Sequence, residues 1–170
     1  CELQSGPRHF RFSPDRRYLY LLYELKNVID VYAFHEEAYG DEVSFEKIQT
    51  ISTFNEKDRD PLIAACQMRF SPDAEASHLF VSNAGINTIS IYGRDFKTGL
   101  LTMKGSLPIG GEYPKDFCIL PDEKHIAVAN NESGTITFLN VDYEHGLLSM
   151  SARELAIDEP NCICMVKCTG

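Results

Sequence analysis

The 170-residue chain contains no tryptophan, no Cys-x-x-Cys pair and no stretch approaching 18 apolar residues. The last absence leaves no candidate membrane-spanning helix, and no basic-then-apolar leader is visible. The six cysteines (Cys1, Cys66, Cys118, Cys162, Cys164, Cys168) lack metal-ligand spacing, as do His35, His78, His125 and His145, so neither a metal nor a cofactor is expected. Cys162 and Cys164 stand two apart, share a strand face and do not easily bridge each other; buried free thiols in a reducing cytoplasm are the expected state. Cations are scarce: 16 Lys and Arg against 25 Asp and Glu give a net charge of −9, which argues against non-specific binding to nucleic acid or an anionic membrane. No segment sustains a helical period of useful length, so the chain is expected to be all-β.

What the sequence does have is a repeat. An apolar residue followed by Ser or Leu and then Pro-Asp occurs at Phe12-Ser13-Pro14-Asp15, Phe70-Ser71-Pro72-Asp73 and Ile119-Leu120-Pro121-Asp122. Pro presets φ and Asp bonds its own backbone, so each is a tight turn between strands. Two apolar runs follow each turn, for example Tyr18–Leu22 and then Val28–Tyr32. Pro14, Pro72 and Pro121 are 58 and 49 residues apart, the spacing of β-propeller blades with about four short strands each. Aromatic residues recur at equivalent strand positions (Tyr18, Tyr20, Tyr32, Phe80, Tyr92, Phe138) and read as wedges between blades.

The expected architecture is therefore an arc of about three and a half blades of four antiparallel strands, one partial propeller over residues 1–170. Blades are placed at about 6–52, 62–107 and 112–155, with a last strand at 160–167 belonging to a closing blade. The chain starts at Cys1 rather than Met, directly before a first-strand motif, and is expected to be the C-terminal part of a longer protein. An open arc leaves two blade faces uncovered, so the missing N-terminal blades, or self-association, are expected to cover them.

Counting back from each Pro gives a ruler for the innermost strand. Six residues before stand Arg8, Cys66 and Lys115; five before stand His9, Gln67 and Asp116. On an ideal strand these two positions face opposite ways, and both lie at the mouth of the central channel. The antiparallel hairpin should bring Glu24, at the end of the second strand, beside Arg8.

The run Gly6-Pro7-Arg8-His9-Phe10 with Glu24, together with Ser82-Asn83, Gly110-Gly111-Glu112-Tyr113-Pro114 and Ala129-Asn130, resembles the lactonase family of seven-bladed propellers. That family includes propeller-type 6-phosphogluconolactonases and carboxy-muconate cyclases, and the resemblance covers Gly6 to about Val166 of this chain, matching the family's C-terminal half. The absence of Trp, and of a Gly-His…Trp-Asp pattern, argues against a WD40 repeat protein. The resemblance implies a site built from a His, two Arg and a Glu at the channel mouth. Arg8 and Glu24 match one Arg and the Glu, while Lys115 stands where the family has its second Arg. The family's His lies in an earlier blade outside this chain; His9 is not its equivalent. The chain also departs from the family pattern at Ala84 and Ile86, where an Arg and a His are common, and at Gln67, where an acid is common.

Lactone hydrolysis needs an activated water and a cation or donor where the oxyanion develops. Glu24 and Arg8 are the catalytic candidates, and Lys115 and His9 the substrate-binding ones. Each has a plainer alternative: an Arg8–Glu24 salt bridge tying two strands, a solvated Lys115, and a His9 packed between blades. The function the resemblance implies is a cytoplasmic lactone hydrolase of the 6-phosphogluconolactonase type in carbohydrate metabolism, acting on a sugar lactone, with the 170 residues inactive alone. A non-catalytic ligand- or protein-binding propeller and a muconate cyclase are the alternatives.

Overall fold

A computed structural model of the chain describes residues 3–36, 43–151 and 154–166. Strands β1 (Pro7–Phe12), β2 (Tyr18–Tyr23), β3 (Val28–Glu36) and β4 (Val43–Ser52) form one antiparallel sheet in that order. A second sheet orders β5 (Ala64–Phe70), β6 (His78–Ala84), β7 (Thr88–Arg94) and β8 (Leu101–Pro108) in the same way. The third contains β9 (Pro114–Ile119), β10 (His125–Asn130), β11 (Thr135–Asp142) and β12 (Leu147–Met150), with β13 (Leu155–Ala156) also on β11. The first strands touch one another, β1 to β5 and β5 to β9, so the sheets radiate from a common axis as propeller blades. The all-β arc of four-stranded blades expected from the repeat is the fold observed. Among the described residues no helix is long and apolar enough to cross a membrane.

The Pro-Asp turns are locked by their own side chains. Ser13 Oγ donates to Asp15 Oδ1 at 2.6 Å and accepts the Tyr18 N–H at 3.0 Å, and Ser71 repeats the pattern with Asp73 and His78. In the third blade Leu120 has no hydroxyl, and Asp122 instead takes the N–H groups of Lys124 and His125 at 2.9 and 3.1 Å.

Alternation along the strands sends one row of side chains to each neighbouring blade. Tyr20, Leu22, Ile29 and Val31 of the first blade bury against Met68, Leu79, Val81 and Tyr92 of the second. Phe80, Ile89 and Ile91 of the second bury against Phe117, Ile126, Val128 and Leu139 of the third. Polar ties fix the blades in angle: Tyr20 Oη donates to Gly99 O and Tyr92 Oη to Ser52 O, both at 2.7 Å. The outward face of the first blade is different. Phe10, Phe12 and Phe45 are 61%, 38% and 46% exposed, and they form a chain of ring contacts through Phe34.

Residues 160–166 pair with no strand among the described residues; residue 167 lies outside them. The segment is held instead through the Ile163 N–H, which donates to Asp116 Oδ2 at 3.1 Å. Cys66 and Cys118 are buried free thiols as expected, whereas Cys162 and Cys164 are exposed, because that segment has no neighbouring strand to cover it. Cys1 and Cys168 lie outside the described residues.

Candidate functional site

Each innermost strand carries a β-bulge, and in all three it falls at the same repeat position. Pro7 pairs with Tyr23 and His9 with Leu22, which leaves Arg8 as the extra residue. Ala65 and Gln67 pair with Asn83 and Ser82, leaving Cys66; Pro114 and Asp116 pair with Asn130 and Ala129, leaving Lys115. A bulge releases one residue from the ladder and re-aims its side chain. Strict alternation therefore does not hold at this step, and the opposed faces expected for Arg8 and His9 rest on a regularity the backbone lacks there.

The bulge frees Arg8 to make two contacts at once. Its Nη1 donates to Glu24 Oε2 at 2.8 Å, as the hairpin predicted, and its Nε donates to the Cys66 carbonyl at 2.6 Å. The Arg8 and Glu24 side chains are 28% and 29% exposed, so the pair meets solvent at the channel mouth while the guanidinium bridges two blades. Cys66 is fully buried beside it. Burial pushes its thiol pKa up, with Arg8 and Lys115 acting against that rise, so it is a protonated thiol rather than a nucleophile at neutral pH.

Lys115 sits at the same repeat position as Arg8, half-buried, and its side chain makes no ion pair or hydrogen bond among the described residues. His9 is half-buried in β1. Burial lowers its pKa, and the neighbouring charges of Arg8 and Arg11 lower it further against a smaller pull from Asp116, so the imidazole is neutral at pH 7. The structure thus brings Arg8 and Glu24 into contact. His9 lies within electrostatic reach of Arg8, and Arg8, Glu24 and Lys115 all lie within electrostatic reach of Cys66.

Below the mouth lies a network centred on Asp116, which is 4% exposed. Its Oδ1 accepts from Gln67 Nε2 at 2.9 Å, Arg69 Nη2 at 3.0 Å and the Phe117 N–H at 2.8 Å, while Oδ2 takes the Ile163 N–H. Burial alone would raise this carboxyl pKa; the bonds from Ile163, Gln67 and Arg69 outweigh it and hold the group below the usual carboxylate range. Gln67, where the family often has an acid, here donates to an acid supplied by the next blade. The sequence places Asp116 only by its repeat position, five before a Pro; its role as a hub depends on inner-strand positions of two blades and the Ile163 segment meeting in space.

The three innermost strands together carry Arg8, Arg11, Arg69 and Lys115 against the single acid Asp116, in a chain whose net charge is −9. Such local reversal of sign attracts anions. Among the described residues no group of three or more His, Cys, Asp or Glu is arranged to hold a metal ion.

The family model described as "Lactonase, 7-bladed beta-propeller" matches residues 1–165. A 6-phosphogluconolactonase of Bacillus subtilis is 25% identical over 163 residues, covering 94% of this chain and 44% of that protein. A 6-phosphogluconolactonase of Formosa agariphila is 30% identical over 158 residues, covering 91% and 41%. Among solved structures, a putative 6-phosphogluconolactonase from Bacteroides fragilis superposes with a TM-score of 0.80 at 27% identity, covering 96% of this chain and 42% of that one. The periplasmic gluconolactonase of Pseudomonas aeruginosa shares the fold with a TM-score of 0.82 at 24% identity, covering 93% and 42%. The chain spans less than half the length of these relatives. With its bulged inner strands, its charged mouth and a match over residues 1–165, the chain belongs to the seven-bladed β-propeller lactonase family.

Proposed function

We propose that the complete protein hydrolyses a sugar lactone carrying an anionic group, with 6-phosphogluconolactone the leading substrate and carbohydrate metabolism by the pentose phosphate route its setting. The observation that carries this reading is the Arg8–Glu24 pair, held at 2.8 Å on a bulge at the channel mouth among cationic inner strands. In this reading Glu24 takes a proton from a water that attacks the ester carbonyl. The ring C–O bond then breaks, and the proton passes to the leaving oxygen, giving the open hydroxy acid. Arg8 faces the developing oxyanion, and Lys115 attracts the phosphate or carboxylate. His9, being neutral, contributes a hydrogen bond rather than a charge. The named relatives of Bacillus subtilis and Formosa agariphila support the substrate class.

The remaining blades belong to the same proposal. The exposed aromatic face of the first blade and the share of the relatives that this chain spans both favour further blades closing the ring, one of them bringing the His that the resemblance places earlier. The 170 residues alone are then inactive. The deciding experiment is hydrolysis of 6-phosphogluconolactone and gluconolactone by the complete protein and by Glu24→Gln. A general base contributes roughly 10²–10⁴-fold, so a loss under about tenfold in kcat/KM removes Glu24 from that role.

A second reading is a propeller that binds a sugar acid without turnover. It is favoured by the second blade, whose positions equivalent to Arg8 and Glu24 are Cys66 and Ala84, both fully buried and uncharged. Tight 6-phosphogluconate binding with no lactone hydrolysis would select it.

A further inference from the structure

Tyr113 stands just before β9 with φ +59°, a left-handed backbone conformation in which a bulky side chain is strained. The same repeat position of the first blade, eight residues before its Pro, is Gly6, with φ +65°. The backbone at Tyr113 is fixed without help from the ring. Its N–H donates to Asn87 Oδ1 at 3.0 Å, and its carbonyl accepts the Asn131 N–H at 2.9 Å, bonds a glycine would make equally well. The hydrogen bonds that hold this left-handed backbone thus owe nothing to the tyrosine side chain.

That side chain is half-buried, and its hydroxyl has no hydrogen-bond partner among the described residues, nor is it one of the buried orphaned atoms. It lies within electrostatic reach of Cys66, Glu24 and Arg8, spanning from the third blade back to the first. Burial raises the phenol pKa, helped by Cys66 and Glu24, so it is a neutral donor at pH 7. Lys115, two residues along, likewise makes no side-chain hydrogen bond or ion pair among the described residues. Strain kept in the backbone to present a partly exposed phenol beside a charged pair is the pattern of a ligand-facing residue.

We propose that Tyr113 is a specificity-determining residue: its phenol hydrogen-bonds a hydroxyl of the sugar acid or lactone and holds that ring against the Arg8–Glu24 pair. This rests on the lactonase reading of the same site. The experiment uses the complete protein as wild type, Tyr113→Phe and Tyr113→Gly. It titrates 6-phosphogluconate and gluconate by calorimetry, follows kcat and KM for the lactones, and records the thermal midpoint.

The expected result is a Kd and KM raised about three- to tenfold in Tyr113→Phe, as for loss of one neutral hydrogen bond, with kcat within about threefold of wild type. Tyr113→Gly should lose more than about tenfold in affinity while its thermal midpoint stays level or rises, because glycine relieves the left-handed strain. A purely structural tyrosine would give the opposite pair: affinity unchanged and a lower midpoint. Wild-type binding with both variants indistinguishable from it overturns this inference and leaves the lactonase reading standing. A wild type that neither binds the sugar acids nor hydrolyses the lactones overturns both. Should Tyr113→Gly fail to fold, Tyr113→Phe alone decides, since a Kd within about 1.5-fold of wild type refutes the hydrogen bond.

Discussion

Replacing Asp116 tests whether one buried carboxylate ties together the second blade, the third blade and the segment around Ile163. It accepts four hydrogen bonds, at 2.8 to 3.1 Å, from Gln67, Arg69, Phe117 and Ile163, and its side chain is 6% exposed. Bonds to a charged acceptor are each worth about 1.5–3 kcal/mol net, and breaking a buried pair from one side costs about 3–5 kcal/mol. Asp116→Ala should therefore lose about 3–5 kcal/mol. Asp116→Asn keeps the shape and one accepting oxygen, but its NH₂ meets the Ile163 N–H donor to donor and Arg69 loses its counter-charge, so about 1.5–3 kcal/mol is expected.

The pH dependence separates charge from shape. The folded carboxyl pKa is held below its unfolded value of about 3.9, so its contribution is fully present above that value and is lost as pH falls through the folded pKa. Urea unfolding of wild type and Asp116→Asn between pH 7 and pH 3 should show a gap that is widest at neutral pH and narrows below about pH 4. The slopes should differ by up to one proton, about 1.4 kcal/mol per pH unit. A gap under about 0.5 kcal/mol at pH 7, or one that does not change with pH, would refute the hub.

Two other substitutions probe the frame of the site. Tyr20→Phe removes a fully buried hydroxyl that donates to Gly99 O at 2.7 Å and accepts from Arg94 Nε at 2.9 Å; leaving both groups unpaired should cost about 1–3 kcal/mol in urea unfolding, and a neutral result would show that water replaces the hydroxyl. Gly111→Ala would place its Cβ 2.4 Å from Nδ2 of Asn130, which is fully buried and bonded to Thr137 Oγ1 at 3.0 Å, so overpacking of about 1–3 kcal/mol is expected. Much of that loss should return in Gly111→Ala/Asn130→Gly, and a single variant as stable as wild type would mean that Asn130 can swing away.

The repeat made most of the fold legible, because each Pro-Asp turn and the two apolar runs after it obey local rules that the chain follows three times. Arg8 and Glu24 could be paired in advance for the same reason, since a hairpin fixes who faces whom. The bulge was invisible: Arg8, Cys66 and Lys115 share no residue type, and none is a glycine that would betray an unusual backbone. The left-handed turn at Tyr113 was equally hidden, although Gly6 at the matching position was a usable hint. The Asp116 hub escaped because Gln67 and Arg69 reach it from another blade, and contacts between blades leave no periodic trace in sequence.

The bulge recurring in each inner strand also bears on how such a protein changes its substrate. A residue in the ladder must satisfy a strand partner and a packing layer, so its identity is bound to the stability of the whole. The bulge residue has no strand partner to satisfy, and arginine, a buried thiol and lysine occupy that one position in successive blades. Each blade thus offers one inner-strand position whose side chain the ladder does not dictate. Chemistry there can differ from blade to blade on one and the same strand pairing.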